Sequence, residues 1–356
     1  MSLRCGVVGM GRGKLFAKVL AENEHCELVA VCDTEAATMA DFERTVRHTD
    51  YGTFLDENLD VVAVISPGPV HAEQSIAALK RGAHVLCETP CVYSVQEARD
   101  VTRAVVATGK GYMLAENYIW QGWCEALYTM AAEGKFGDIV YAEGDYTHDL
   151  RDIMLYDEKG RVPYAEREGR QDLKRTWRAT DLPPIIYCSH TLGPLLHLMD
   201  DRITSAYGLA VTNRGMPGFV ETDLEAGLFE TAKGAIIRLT NGFTPAHPFS
   251  LFYSIAGTRG SGKVLNAGGQ SGKWWSDLVE GIQGWQDMPV ESLARPDGRD
   301  DTAVMVDAFI QSIVDGIAPP LDVHASMDMT LPGIVAHQSG IEGGMKMDVP
   351  NSRDWV

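Results

Sequence analysis

The sequence predicts an α/β protein with a doubly wound parallel sheet in its first part and an α+β domain built on an open, mainly antiparallel sheet in the remainder. Three observations predict it. Apolar runs of strand length alternate with helical periodicity from Leu3 to Ala115. A glycine-rich turn, Gly9-Met10-Gly11-Arg12-Gly13-Lys14, joins the first run to the first helix. Four strand-like runs separated by tight turns then follow between residues 203 and 256. At 356 residues the chain exceeds what one hydrophobic core usually holds. Two domains are expected, 1–120 and 121–356, with the closing segment packing back on the first.

Leu3 to Val8 ends at the glycine turn, and the stretch from Leu15 to Glu22 is periodic as a helix. A second apolar run, Leu28 to Cys32, ends at Asp33. Strand, glycine turn, helix and a later acidic residue form the pattern of a Rossmann dinucleotide-binding unit. The glycines and the helix N-terminus let backbone amides approach a pyrophosphate, so Gly9, Met10, Gly11 and Arg12 are the expected contacts there. Asp33 is placed to accept from a ribose 2′-hydroxyl and to repel a 2′-phosphate, which favours NAD over NADP. The third glycine stands at position 13, one residue before the place the strict pattern gives it, where Lys14 is found.

Asp60 to Ile65 is another buried strand, ending in Ser66-Pro67-Gly68-Pro69-Val70-His71, and a helix from Ala72 to Arg81 is closed by Gly82. His84 to Pro90 is a strand running into a proline turn, followed by a helix through Val101 to Thr108 and a strand from Tyr112 to Ala115. Ligands of such sheets bind beyond the carboxyl ends of the strands. Ser66, Pro67, His71, Glu88, Thr89 and Glu116, with Asn117 beside them, are therefore candidates to line the nicotinamide side. A histidine that opens a helix, as His71 does, is also a common capping or packing residue.

In the second domain Ile203 to Val211, Leu224 to Glu230, Ala235 to Thr240 and Phe249 to Ala256 read as strands, with Lys233-Gly234 and Asn241-Gly242 as turn chemistry. A sheet covered on one face leaves the other free to pair with a second copy, so a homo-oligomer, dimer or tetramer, is expected. Residues 301 to 316 form an amphipathic helix, and a second follows near Thr330 to Glu342. Trp274, Trp275 and Trp285 fall in a glycine-rich stretch from Gly268 to Gly284 that reads as a loop, either stacking on a sugar ring or anchoring itself. The charged run from Arg151 to Arg175 reads as a solvated loop or helix.

Charge and composition narrow the function classes. With 31 Lys and Arg against 49 Asp and Glu, the formal charge of -18 repels polyanions, so neither nucleic acid nor an anionic membrane is an expected partner. The seven cysteines are odd in number, scattered, and include no CxxC pair, which reads as reduced thiols. The first residues enter a strand directly without a charged and apolar leader, and no run of 18 apolar residues occurs. A cytoplasmic location is expected.

Several motifs now carry a resemblance. The glycine turn, Ile65-Ser66-Pro67 before His71-Ala72-Glu73, Gly82-Ala83-His84-Val85-Leu86-Cys87-Glu88-Thr89-Pro90, Gly134-Lys135-Phe136-Gly137 and Pro319-Pro320-Leu321-Asp322 are similar to the glucose-fructose oxidoreductase and inositol dehydrogenase family over essentially the whole chain. The resemblance implies NAD(P) in the first domain, a mainly antiparallel second domain and a sugar-like substrate between them. Two departures stand out. Thr89 occupies the place of the family's lysine, and Ile186 that of the aspartate four residues before the histidine, which is kept as His190. Ala115-Glu116-Asn117-Tyr118, the segment Glu143 to Arg151, Trp177-Arg178 and the segment Tyr187 to Pro194 resemble instead the NAD-dependent glycosidases related to α-N-acetylgalactosaminidase. That branch implies catalytic roles for Glu116, Tyr146, Tyr187 and His190.

The residue types suit such chemistry. Hydride transfer from a carbinol needs a base for the hydroxyl proton, and Tyr187 with His190, three residues apart, is the natural acid–base pair. Tyr146 and His148 share one face of a strand, so Tyr146 can serve as a base at an acidified carbon, while Glu116 can bind a hydroxyl or relay a proton. His148, Arg151, Trp177 and Arg178 are candidates for substrate contact. No metal is expected, because the His, Asp and Glu spacings match no compact ligand set. The leading reading is an NAD(P)-dependent oxidoreductase acting on a sugar, glycoside or polyol hydroxyl, and the alternative on the same site is a redox-neutral glycosidase or lyase using NAD as a recycled internal oxidant. A non-catalytic NAD(H) sensor is the third.

Overall fold

The computed structural model describes residues 2–266, 270–295 and 297–356. They form two compact units. One is drawn from the stretch up to Asn117, Arg299–Asp328 and Asn351–Val356, the other from Tyr118–Gly298 and Met329–Pro350.

The first unit is built on six strands, β1 (Leu3–Val8), β2 (Cys26–Cys32), β3 (Val46–His48), β4 (Val61–Val64), β5 (His84–Cys87) and β6 (Tyr112–Leu114). All pair in parallel, in the order β3-β2-β1-β4-β5-β6. Buried on both faces, β4 consists entirely of Val and Ala. Helices α1 (Gly13–Glu22), α2 (Tyr51–Leu55), α3 (His71–Lys80) and α4 (Val95–Thr108) connect them. On α1 the buried residues Gly13, Phe16, Ala17 and Leu20 recur at i, i+3, i+4 and i+7, which lays one stripe on the sheet. The helix read from Val101 begins earlier, because Ser94 Oγ accepts from the Glu97 amide at 3.1 Å while Glu97 Oε2 accepts from the Tyr93 amide at 2.6 Å. Such a cap is worth about 1 kcal/mol and fixes the start that hydrophobic periodicity alone did not mark. The Asp301–Asp315 helix is capped by Asp300 and joined to the end of α1 by Asn23 Nδ2 donating to Asp307 Oδ1 at 2.6 Å.

The second unit opens with α5 (Gly122–Ala132) and β7 (Ile139–Thr147). The charged run then folds as three short strands, β8 (Leu155–Asp157), β9 (Gly160–Arg161) and β10 (Lys174–Arg175), paired antiparallel, before α6 (Trp177–Thr180) and α7 (Ser189–Met199). It is neither a plain loop nor a helix, because Arg170 pairs with both Asp157 and Asp172 and ties the excursion to itself. The main sheet adds β11 (Ile203–Thr212), β12 (Thr222–Thr231), β13 (Ile236–Gly242), β14 (Ser250–Gly257), β15 (Gly260–Asn266), β16 (Gln270–Ser276), β17 (Gln286–Asp287) and β18 (Met347–Asp348). Its order is β17-β16-β15-β14-β7-β13-β12-β11-β18. Every pairing is antiparallel except β7 with β13, which is parallel.

Two sequence expectations are corrected here. Asn241-Gly242 is the end of β13 and not a turn, because its backbone pairs in parallel with Tyr146 and Thr147. Trp274 and Trp275 lie on β16, opposite Gly262 and Ser261 of β15, where β-sheet pairing overrides the glycine-rich composition. Gly268, the first residue of that expected loop, lies outside the described residues. Lys135 Nζ stands 5.7 Å over the Trp274 ring and Lys263 Nζ 4.5 Å over that of Trp285.

One face of the sheet is covered. A Cβ at Gly144 would meet Thr191 at 3.2 Å and Leu195 at 3.4 Å, so α7 rests directly on β7. At Gly208 a Cβ would fall 1.8 Å from the Ala336 carbonyl of the Val323–Ile341 helix. The other face alternates half-buried and exposed residues, with Leu228 and Ile236 each 49% exposed. Gly208→Ala is therefore expected to force strand and helix apart. A loss of about 1–3 kcal/mol or more in unfolding free energy, read from the urea midpoint, checks it.

Candidate active site

In the first unit the chain order reverses between β1 and β4, and the expected cofactor residues collect at the carboxyl ends there. Gly9 has φ +88°, and a Cβ on it would lie 2.3 Å from the Ser66 amide nitrogen, so the β1 and β4 exits touch at a place only glycine fits. A Cβ on Gly13 would meet Val7 Cγ1 at 2.9 Å, so this glycine lets α1 lie close on β1 although it stands one residue early in the motif. Nothing lies within 4 Å of a Cβ at Gly11. The turn thus keeps open backbone at the head of a helix, the geometry a pyrophosphate requires. Asp33, just beyond β2, accepts from the Met10 amide at 2.6 Å and from the Glu35 amide at 2.9 Å, which fixes the carboxylate against the turn. These features fit a dinucleotide.

The neighbouring positions are tied together. Arg12 Nε donates to Glu88 Oε1 at 2.7 Å. The His71 ring nitrogens lie 2.7 Å from the Ser66 carbonyl and 2.9 Å from the Pro90 carbonyl, and the side chain is buried. Burial holds this imidazole below the ordinary histidine range, opposed by the two carbonyls and by Glu88. A neutral imidazole donates from one ring nitrogen, so His71 bonds one of these carbonyls while packing between the loops that carry Ser66 and Thr89. Pro67 opens the short helical turn Gly68–Val70, and Thr89 Oγ1 is buried with no hydrogen-bond partner among the described residues. Glu116 is fully buried after β6, and Asn117 Nδ2 donates to Asp301 Oδ2 at 3.0 Å. Burial pushes the Cys32 and Cys87 thiols up to about 12, so neither supplies a thiolate nucleophile near neutral pH.

In the second unit the sequence-predicted residues Tyr146, His148, Tyr187 and His190 come together. Tyr187 ends the short helical segment Pro184–Tyr187 and His190 opens α7. Their rings are 4.7 Å apart and perpendicular. The Tyr146 ring stands 5.8 Å from Tyr187 and 5.6 Å from His190. Tyr146 Oη lies 3.4 Å from His148 Nδ1, and the ladder continues past β7, with the His148 amide donating to Gly242 and the Leu150 amide to Phe243. Burial, with Arg178 nearby, holds His148 below the ordinary histidine range against the pull of Asp149, so the ring is neutral at pH 7 and able to accept a proton.

Other residues of the cluster were not foreseen as site residues. Tyr118 presents an edge to His190 at 4.6 Å, and Phe243 and Phe249 flank Tyr146 at 6.1 Å and 5.9 Å. Fully buried Asn241 lies in register beside Tyr146 and donates through Nδ2 to the Tyr187 carbonyl at 3.4 Å. The segment bearing Tyr187 is braced further. Pro184 has no N–H, and the next amide, that of Ile185, donates at 3.0 Å to Glu225 Oε2, whose Oε1 lies 2.7 Å from His337 Nδ1. Of the expected substrate contacts, Arg178 stacks on Trp177 at 4.4 Å. Arg151 forms a two-pronged pair with Asp149 at 2.8 Å and 2.6 Å and lies 4.5 Å over the Tyr164 ring. Among the described residues no group of three His, Cys, Asp or Glu side chains is gathered as for a metal, and no helix is long and apolar enough to cross a membrane.

A parallel sheet with this glycine turn defines the class, an oxidoreductase-type, NAD-binding Rossmann protein. A family model described as "Oxidoreductase family, NAD-binding Rossmann fold" matches residues 3–116. One described as "Glycosyl hydrolase 109, C-terminal domain" matches residues 124–354, and the chain belongs to glycosyl hydrolase family 109. A glycosyl hydrolase family 109 protein of Streptomyces filamentosus is 25% identical over 392 residues, spanning 98% of this chain and 77% of the relative. An alpha-N-acetylgalactosaminidase of Tannerella forsythia is 23% identical over 407 residues, spanning 98% and 86%. Among solved structures, an oxidoreductase domain protein from Kribbella flavida superposes with TM-score 0.80 at 18% identity, covering 98% of this chain and 100% of that one. A levoglucosan dehydrogenase in complex with NADH and L-sorbose does so with TM-score 0.80 at 17% identity, covering 99% and 100%. At such identities these two structures establish the fold alone.

The glycine geometry separates two effects. Gly9→Ala is expected to destabilise the first unit, whereas Gly11→Ala leaves the unfolding midpoint unchanged and weakens NAD binding by about tenfold or more. Calorimetric titration beside thermal melting distinguishes them.

Proposed function

We propose that this protein is a glycosidase that uses bound NAD as a recycled internal oxidant, cleaving a sugar glycoside without net redox change. The observation that carries the proposal is the meeting of two phenols and two imidazoles in one cluster. Simple dehydrogenation of a carbinol moves one hydride and one proton and needs one base, whereas elimination next to a ketone needs a second base for the adjacent C–H. Tyr187 with His190 supplies the first and Tyr146 with His148 the second. Thr89 and Ile186, where typical dehydrogenases of the resembling family carry lysine and aspartate, support the same reading, as does the alpha-N-acetylgalactosaminidase activity named for the relative.

Gly9, Met10, Gly11 and Arg12 would hold the pyrophosphate and Asp33 the adenosine ribose, with Ser66, Pro67, Glu88, Thr89 and Asn117 toward the nicotinamide. When bound, NAD accepts a hydride from a ring carbinol carbon and returns it at the end of the cycle. Tyr187 takes the hydroxyl proton as its own phenolic proton passes to His190, and the pair later returns it. Tyr146 removes the proton from the carbon beside the ketone, and neutral His148 receives it. Glu116 binds a ring hydroxyl or protonates the leaving oxygen. Water then adds where the leaving group departed, so the balance is hydrolysis. Arg178 and Trp177 contact the sugar.

NAD is the proposed cofactor over NADP, on the carboxylate of Asp33. Asp33→Ala is expected to weaken NAD by about tenfold and narrow its preference over NADP, as read by titration with both. The exposed apolar residues on the open sheet face support a homo-oligomer, and seven cysteines outside any disulfide suit a reducing, cytoplasmic setting.

The deciding experiment follows reduced-nicotinamide absorbance and aryl release together, with purified protein and a panel of aryl glycosides and sugars. Aryl release that depends on NAD without net NADH is the expected result. Net NADH with no aryl release makes the protein an ordinary sugar dehydrogenase instead. In the same assay His190→Ala should lower turnover by about two to four orders of magnitude and leave NAD binding intact. Unchanged turnover removes the histidine from the mechanism.

A further inference from the structure

Helix α7 contains Pro194, four residues after His190. In an α-helix the amide of residue 194 would donate to the carbonyl of residue 190, and proline has no amide hydrogen. The His190 carbonyl is therefore denied its helical partner in a buried place. It receives another from the sheet: Tyr253 Oη donates to it at 2.6 Å. Tyr253 lies on β14, is 1% exposed, and is in register with Gly144 of β7. Its ring stacks on Trp123 at 4.4 Å and 28°, which leaves the hydroxyl little freedom to turn elsewhere. Gly144, by lacking a side chain, lets α7 come down on the strand so that this bond closes.

We propose that Tyr253 is a positioning residue for His190, holding the first turn of α7 to the sheet through the hydrogen bond that Pro194 withholds. The inference rests on the reading of His190 as an acid–base group. Three rings surround the imidazole: Tyr118 at 4.6 Å, Tyr187 at 4.7 Å and Tyr146 at 5.6 Å. They fix its plane only if the backbone beneath it is fixed, and Tyr253 fixes the backbone. An alanine at position 194 would satisfy the carbonyl within the helix and make the tyrosine hydroxyl dispensable. The proline ties the helix end to β14 and so to the strand pair that carries Tyr146.

The test is a compensating pair, Tyr253→Phe and Pro194→Ala, alone and combined, each assayed as kcat per NAD-loaded molecule, KM, NAD affinity and melting temperature. The histidine 15N resonances are recorded on the same samples, with that of His190 assigned by its loss in His190→Ala. Tyr253→Phe should lower kcat about tenfold while KM and NAD affinity stay within about threefold, and should shift the His190 resonance. In the double variant both should return to near the wild-type values, because the helix amide replaces the hydroxyl. An unchanged kcat in Tyr253→Phe overturns the proposal, and so does a loss that Pro194→Ala does not repair. A merely structural tyrosine would lower the melting temperature and leave kcat per loaded molecule where it was. If His190→Ala turns over normally, the function proposed above fails. A normal Tyr253→Phe beside an inactive His190→Ala sinks this inference alone.

Discussion

A single parallel pairing inside an otherwise antiparallel sheet organises the second unit. Because β7 and β13 run the same way, both chains leave the sheet at the same end, His148 from one and Phe243 from the other. The antiparallel partner β14 begins at that end too, with Ser250 opposite Thr147, which brings in Phe249. Two connections, the one after β7 and the one joining β13 to β14, are thereby gathered around Tyr146, the last inward-facing residue of β7. Ligand sites in parallel sheets collect at carboxyl ends for the same reason, and the first unit applies it at the junction of β1 and β4. In each half of the chain the candidate residues thus gather at the point where strand direction or order departs from regular repetition.

The groups assigned to proton transfer are held through their main chain as well as by the side chains around them. The Ile185 amide finds Glu225, the Tyr187 carbonyl finds Asn241, and the His190 carbonyl finds Tyr253. The Ile185 amide is left over at the start of its helical segment, and the His190 carbonyl loses its helical donor to Pro194. A buried amide or carbonyl without a partner is costly, so each break in the local ladder becomes an attachment to the sheet. Gly333 completes the arrangement, since a Cβ there would lie 2.2 Å from the Ile185 carbonyl.

What could be read in the sequence was local. The glycine turn, Asp33 and the alternating strands and helices are short-range patterns, and the parallel sheet follows from them. Tyr187 and His190 were legible as a pair because three residues separate them, and Tyr146 with His148 because they alternate on one strand. The supports lay beyond such patterns. Glu225 meets His337 across 112 residues and Tyr253 meets His190 across 63, and neither pair leaves a spacing signature. Asn241 looked like a turn because Asn-Gly usually is one, and only pairing with a strand almost a hundred positions earlier makes it an interior residue of a sheet. Trp274 and Trp275 pair locally with the neighbouring strand β15, and there it is the glycine-rich composition that hides the strand.

One attachment of the excursion between Asp149 and Trp177 to the rest of its unit runs through Tyr164. Tyr164, held between the guanidinium groups of Arg151 and Arg167 at 4.5 Å and 3.6 Å, donates to the Gly215 carbonyl at 2.9 Å. Gly215 in turn donates to buried Asp223 at 2.9 Å. The anchors belong to the sheet, whereas the intervening ion pairs belong to the excursion itself. A change in the length or charge of this segment is therefore taken up by its own ion pairs and by the link from Tyr164 to Gly215 before it reaches β7.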